Sequence, residues 1–267
     1  MRIRDFSPNF AIPAGGGVVI VPYQALRGNN IANFSVNMTG AANALGAATG
    51  LTRIRVLVNG NVFWDVSAAH FIAWTERMTE GRRVYGITSL GFNIPFYDTM
   101  APTVDEGDQF QLPAGNVELQ FVFAAGSVVG NLNVAIDRTN VTAIGSHRLY
   151  GSAMNIPAST VNASYLFSAA GIVRGVVMNR AGVIQRLLQL GGIEAIKDTG
   201  PSFTPALDQI ILRDALYSPQ ILTDPLTHYL GEQYQAPATG TFLRLDTAAG
   251  WAGVGNELTL YTQIPTA

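Results

Sequence analysis

A strand–turn–strand–helix unit between Arg53 and Gly81 constrains this 267-residue chain more than any other stretch, because its parts return half a chain later. Ile54, Val56 and Val58 alternate with Arg53 and Arg55, the period of a strand with one face in a core. Asn59-Gly60 follows, a dipeptide suited to a two-residue hairpin turn whose central residues both need positive φ. On the return strand Val62, Trp64 and Val66 are expected on one face, Asn61 and Asp65 on the other. Ser67 is placed to cap a helix with Phe71, Trp74 and Met78 on one side and Gly81 as its stop. The pattern returns as Ile184 to Leu190, Gly191-Gly192, then Ile193 to Thr199. A second capped segment begins at Thr204, with Pro205 at its first helical position and Leu207, Ile210 and Ile211 on one face. The two glycine turns stand about 132 residues apart, which is the mark of a duplicated domain.

Short alternating strands separated by Gly, Pro, Asn and Ser fill the rest of the chain. Val18 to Val21 and Ile31 to Met38 read as early strands, followed by a small-residue loop from Thr39 to Gly50. Arg82 to Leu90 and Phe92 to Phe96 read as extended, and an acidic loop, Asp98 to Asp108, comes next. Val117, Leu119, Phe121 and Phe123 alternate with Glu118 and Gln120, a half-buried strand. Leu132, Val134 and Ile136 then make its expected partner across the turn at Gly126 to Gly130. The second half ends alike: Leu243 and Leu245, a Gly-rich turn, then Leu258 and Leu260. Val129-Gly130-Asn131 matches Val254-Gly255-Asn256 about 125 residues on. Alternation breaks between Arg138 and Ser159, so two domains are expected, 1–145 and 146–267. The fold class is all-β: two tandem jelly-roll β-sandwiches, a double jelly roll, with a short helix inserted in each.

The composition is 48% apolar but only 13% charged, against about 25% charged in an average soluble domain. Surface that would normally carry charge must be covered. No apolar run reaches the roughly 18 residues of a membrane span, and the first residues lack the apolar stretch of a signal peptide. The expected cover is other protein. Of sixteen basic residues only Lys197 is lysine, and arginine is the cation enriched at protein interfaces, though base composition of the genome explains the bias equally well. A net charge of −2 argues against direct nucleic-acid binding, which calls for a basic stripe. The absence of cysteine excludes disulfides and thiolate chemistry and fits a reducing compartment.

A search for catalysis comes back empty. His70, His147 and His228 are far apart, fit no metal-ligand spacing, and read as helix-surface or loop residues. There is no nucleophile elbow, and Lys197 has no Ser-x-x-Lys context. Ala14-Gly15-Gly16-Gly17-Val18 has no Lys-Ser/Thr after it and reads as a turn. Asp105, Glu106 and Asp108 could offer oxygen ligands to a hard cation, but a solvated acidic loop explains them more simply. The sequons at Asn33, Asn37, Asn140 and Asn162 read as accidental. Phe63, Trp64, Phe71 and Trp74 cluster in one strand–helix unit and are expected to bury at one end of a sandwich. No catalytic, cofactor-binding or metal-binding residue is assigned, and an enzyme is not expected.

The hairpin Ile54 to Val66 with its helix, Asn93-Ile94-Pro95-Phe96 with the acidic loop and long strand behind it, the hairpin at Gly191-Gly192, and the closing strand Glu257 to Ile264 resemble corticovirus-type major capsid proteins. Their lineage is shared with tectiviruses and adenoviruses. The resemblance spans nearly the whole chain in order and spacing. Ser218-Pro219 and Asp224-Pro225 depart from it by interrupting the second copy. It implies the major capsid protein of a tailless bacterial virus, made in the host cytoplasm and residing in the virion. Such a protein forms a pseudo-hexagonal homotrimer that tiles an icosahedral shell over an internal lipid membrane. Its partners would be neighbouring capsomers, vertex (penton) proteins and membrane proteins. The segment from Met1 to Pro13, with Arg2, Arg4, Phe6 and Phe10, would be an arm packing beneath the shell or facing the membrane. Two rival readings remain: a carbohydrate-binding β-sandwich such as a receptor-binding spike or lectin, with an exposed aromatic patch, and a cupin- or glycosidase-like enzyme.

Overall fold

In a computed structural model of the chain the described residues are 2–25, 30–72, 90–95, 115–139, 147–155, 163–166, 172–178, 184–190, 193–194, 216–217, 226–230, 236–237, 242–247 and 257–265. They fall into two compact units, Met1–Leu149 with Pro265–Ala267, and Tyr150–Ile264.

The first unit contains β1 (Arg2–Phe6), β2 (Phe10–Ile12), β3 (Gly17–Ala25), β4 (Asn30–Met38), β5 (Leu51–Val58), β6 (Asn61–Ser67), β7 (Gly91–Pro95), β8 (Gly115–Phe123) and β9 (Gly130–Thr139). β1 and β2 pair with successive parts of β9 and act as one interrupted strand. Counting them as the first strand, one sheet has the order first, eighth, third, sixth (β1, β9, β4, β7). The other runs second, seventh, fourth, fifth (β3, β8, β5, β6). The pairs first–eighth, second–seventh, third–sixth and fourth–fifth are all antiparallel. The unit is thus one long hairpin with its apex between β5 and β6, rolled so that alternate pairs fall in opposite sheets. That is a jelly roll.

The second unit contains β10 (His147–Asn155), most of which belongs to it, then β11 (Ala163–Leu166), β12 (Ile172–Met178), β13 (Ile184–Leu190), β14 (Ile193–Glu194), β15 (Leu216–Tyr217), β16 (Leu226–Leu230), β17 (Ala236–Pro237), β18 (Phe242–Thr247) and β19 (Glu257–Pro265). One sheet includes the run β10, β19, β12, β16, and the other has the order β11, β18, β13, β14. With β15 and β17 as extra edge pairings on β16 and β12, this is again first, eighth, third, sixth and second, seventh, fourth, fifth. The chain therefore carries the same rolled hairpin twice. The helix expected from Thr204 lies outside the described residues.

The apex of the first roll is the turn Asn59-Gly60, with φ of 50° and 80°. The positive pair matches the twist of the strands it joins. Asn59 N–H donates to the Asn116 carbonyl (2.8 Å), and its Oδ1 accepts from Asn116 N–H (3.0 Å), which fastens the apex to the start of β8. In the second roll Gly191-Gly192 separates β13 from β14, with Leu190 opposite Ile193.

Alternation along β5 is as expected: Ile54, Val56 and Val58 are buried, while Arg53 and Arg55 are half-buried. In β6 the expectation fails at one residue. The register slips so that Val56 faces Trp64 and Leu57 faces Val62, leaving Phe63 as the extra residue of a β-bulge. A bulge reverses the faces beyond it, so Trp64 and Val66 are buried while Val62 is 55% exposed. Ser67 Oγ accepts from His70 N–H (3.3 Å) and caps the helical turn 68–72, as its position predicted. Phe71 on that turn bridges the sheets. It meets Trp64 of β6 at 6.2 Å and Phe92 of β7 at 5.6 Å between ring centroids, and Phe92 meets Phe121 of β8 at 6.5 Å. All three contacts are edge-on, the arrangement aromatic quadrupoles favour. Phe63 is buried too, and Trp74 lies outside the described residues.

A second expectation is corrected by the topology. β8 and β9 are not hairpin partners: β8 pairs with β3 and β5, β9 with β1, β2 and β4. Residues 124–129 cross from one sheet to the other, as the seventh-to-eighth connection of a rolled hairpin must. In sequence such a crossing is indistinguishable from a hairpin, because both strands alternate and both are bounded by glycine. That crossing is held by two buried polar side chains. The Asn43 amide donates to the carbonyls of Thr39 (2.8 Å) and Val128 (2.9 Å), and its Oδ1 accepts from Val128 N–H (2.9 Å). Ser127 Oγ donates to the Pro13 carbonyl (2.8 Å) and accepts from Gly16 N–H (3.0 Å). Gly130 has to be glycine, since a Cβ there would overlap the Thr39 carbonyl oxygen.

Three substitutions separate these contributions by denaturant titration. Trp64→Ala, which removes a fully buried ring at one end of the aromatic chain, is expected to cost about 3–5 kcal/mol. Asn43→Ala leaves three part-buried backbone groups without their side-chain partner and should cost about 1–3 kcal/mol. Gly60→Ala meets open space, so only the left-handed backbone penalises it, by about 1–2 kcal/mol. A Gly60→Ala loss as large as that of Trp64→Ala would contradict this division.

Candidate assembly surface

On the sheet β3–β8–β5–β6 the residues opposite the core are unlike a solvated β-face. Its edge strand β3 turns Val19 and Val21 inward and leaves Val18 (49% exposed), Ile20 (46%) and Pro22 outside. Their cross-strand neighbours on β8 are Val122, Gln120 and Glu118, all half-buried. Further across, Arg53 and Arg55 on β5 both donate through Nε to Asp65 Oδ1 on β6, the Arg55 contact at 3.0 Å. One carboxylate thus serves two guanidinium groups that are 24% and 38% exposed. Partly buried arginine beside exposed aliphatic residues is the composition of a protein interface rather than of a free surface.

The outer face of the sheet β1–β9–β4–β7 is amide-rich. Asn37 stands opposite Asn133, Ser35 opposite Ala135, and Asn33 opposite Asp137, with Asn93 beside Ser35 on β7. Asn133 Nδ2 donates to Asn9 Oδ1 (3.2 Å). Burial of Asn33 removes it as a glycan acceptor, while Asn37 is exposed. The charges on this face come as a matched pair. Arg4 forks onto Asp137, Nε to Oδ1 at 2.6 Å and Nη2 to Oδ2 at 2.9 Å. Arg and carboxylate are geometrically matched for such a bidentate bond.

That fork corrects the expected N-terminal arm. Arg2–Phe6 and Phe10–Ile12 are strands of the first jelly roll, hydrogen-bonded along β9, and Ser7 adds a backbone bond to Val134 (2.8 Å). The first strand of a rolled hairpin has to close against the eighth, so these residues are committed to the sheet before they can reach elsewhere. Phe6 stays 73% exposed on that strand.

The residues considered for chemistry are not brought together. His70 is buried, contrary to a helix-surface position, because the first turn after Ser67 faces the sandwich with Ala68 and Phe71. His147 lies in β10 and His228 in β16. Asp105, Glu106 and Asp108 lie outside the described residues. Among the described residues no group of three or more His, Asp or Glu side chains could hold a metal ion. Among them, too, no helix is long and apolar enough to cross a membrane. The glycine run at 14–17 is a turn, with Gly15, Gly16 and Gly17 at positive φ.

No protein-family model matches the chain, and none of the curated proteins does. Solved structures do match. The major capsid protein of bacteriophage PM2 superposes with a TM-score of 0.63 at 11% identity, covering 99% of this chain and 98% of that one. The major capsid protein of STIV gives a TM-score of 0.60 at 13% identity, with 98% and 96% covered. A chain of the atomic structure of Sulfolobus turreted icosahedral virus gives 0.57 at 13% identity, with 98% and 90% covered. Coverage of 98–99% of this chain takes in both rolls. The fold is a double jelly roll, similar to that of these viral major capsid proteins.

Proposed function

We propose that this chain is a major capsid protein, a structural component of a virion with no catalytic role. The observation that carries the proposal is the repetition of one strand order in two tandem units, in a chain that superposes end to end on viral major capsid proteins. Two like domains, 1–145 and 146–267, give a homotrimer six near-equivalent corners, so a three-fold particle can occupy a hexagonal position in a shell. A boundary near there is supported by β10, which begins at His147 and takes the first position in the second strand order. Neighbouring capsomers, vertex proteins and membrane proteins over an internal lipid layer are the partners. The virus is a bacteriophage, and the chain is made in the host cytoplasm. Low charge supports this reading, since obligate interfaces commonly bury more than about 2,000 Å² and are relatively apolar.

The carbohydrate-binding reading needs exposed aromatic rings in a patch. In the first unit Trp64, Phe34, Phe71, Phe92 and Phe121 are buried, and the strongly exposed Phe6 has no aromatic partner in a patch there among the side chains whose burial is described. No observation favours that reading.

Electron microscopy of the purified protein tests the proposal. Three-chain particles with a pseudo-hexagonal outline, packing edge to edge into sheets or shells at high concentration, are expected. Particles with no three-fold character would contradict it.

A further inference from the structure

We infer that the flank of the first jelly roll formed by residues 6–25, with β2 and β3, is a seam against a second copy of this chain, closed by side-chain packing rather than by added strand hydrogen bonds. The inference rests on the capsid reading for the existence of an oligomer, and adds where its contact lies.

Three observations carry it. First, β1 with β2 forms the edge of one sheet and β3 the edge of the other, with β2 touching β3 across the turn at 13–16. From Phe6 to Ala25 this flank contains no Asp, Glu, Lys, Arg or His. Edge strands in soluble proteins are protected by charge, because an uncharged edge invites association. Two edge strands bare of charge, β2 and β3, side by side on one flank mean that association is the intended state.

Second, most of the side chains that face outward are apolar: Phe6, Val18 and Ile20, with Pro8, Ala11, Pro13 and Pro22 also exposed, beside the uncharged Asn9 and Gln24. An exposed aromatic residue among aliphatic ones is the usual anchor of a protein contact. Third, Pro22 sits in the middle of β3, where a proline is accommodated with its nitrogen toward the open edge. It removes a donor from that edge, so a foreign strand could not continue the ladder past it. The cover must lie on the side chains.

The occupant follows from charge. A charged partner would bury groups that this flank cannot pair, at a cost of several kcal/mol per ion. An anionic lipid surface would need basic residues to attract it; residues 6–25 contain none, and the neighbouring Arg4 of β1 is held by Asp137. The chain's own surface fits: only 13% of its residues are charged, and the outer face of β4 and β9 is built of Asn, Ser and Ala, with Asp137 already paired to Arg4.

The test compares wild type with V18T/I20T, which keeps β-branched residues in the strand, and with V62T at an exposed position on β6, three strands away from β3. Light scattering over a dilution series gives the concentration at which each oligomer dissociates, and circular dichroism confirms folding. V18T/I20T is expected to dissociate at a concentration about tenfold higher or more, with V62T unchanged. Hydrogen exchange of wild type should show residues 17–25 slowing on oligomer formation, a readout that holds even if the double variant fails to fold. A wild-type trimer with unchanged dissociation in V18T/I20T, or with no slowing at 17–25, overturns the seam and leaves the capsid reading standing. An oligomer weakened by V18T/I20T but not built of three chains supports the seam and contradicts the trimer. A wild-type monomer whose flank is covered only by another kind of molecule overturns the seam.

Discussion

The first jelly roll depends on the two-residue turn at the apex of its rolled hairpin. When a long hairpin rolls into a sandwich, the register of its innermost pair is inherited by the pairs outside it. Asn59-Gly60 sets β5 against β6, β8 then lies on β5, and β3 on β8. A slip of one residue at the apex would turn every inward side chain of that sheet outward. The sandwich therefore needs a turn with no freedom in length, and the left-handed pair Asn59 and Gly60 supplies it. The bond network to Asn116 then carries the apex register directly to β8.

Much of this was legible in the sequence because apex turns have local chemistry. Asn-Gly and Gly-Gly between alternating runs can be read without knowing what lies across the sheet, and both proved to be fourth-to-fifth connections. Ser67 was readable as a cap for the same reason. The failures were non-local. The bulge at Phe63, which puts Val62 on the outside, depends on how β6 meets β5 and leaves no trace in the alternation of β6 alone. The path from β8 to β9 looked like a hairpin because nothing in either strand records which sheet it joins. Asn43 and Ser127 drew no attention, since a buried asparagine or serine is distinguished only by the backbone groups it satisfies, and those lie far along the chain: Val128 and Pro13.

The candidate surface was less readable than the fold. Low charge pointed to covered surface, but composition has no address. Alternation in β3 identifies two faces without saying that both are apolar for different reasons. Only the sheet order shows that Val19 and Val21 face the core while Val18, Ile20 and Pro22 lie on an open edge. The N-terminal residues show the converse. Arg4 and Phe6 looked like an arm because they precede the first recognisable strand, yet Arg4 finds its carboxylate on Asp137, at the other end of the roll in sequence. Closure of the first strand on the eighth is the longest-range contact of the unit, and for that reason the hardest to read.

Duplication of the roll has a consequence that a single roll lacks. One chain with two like domains presents two similar corners, and three such chains present six. The account therefore stands or falls on chain number. The most direct measurement is the solution mass of the purified protein across a dilution series. The account predicts a stable species of three times the 28.5 kDa chain mass. A strict monomer at the highest concentration reached would contradict it.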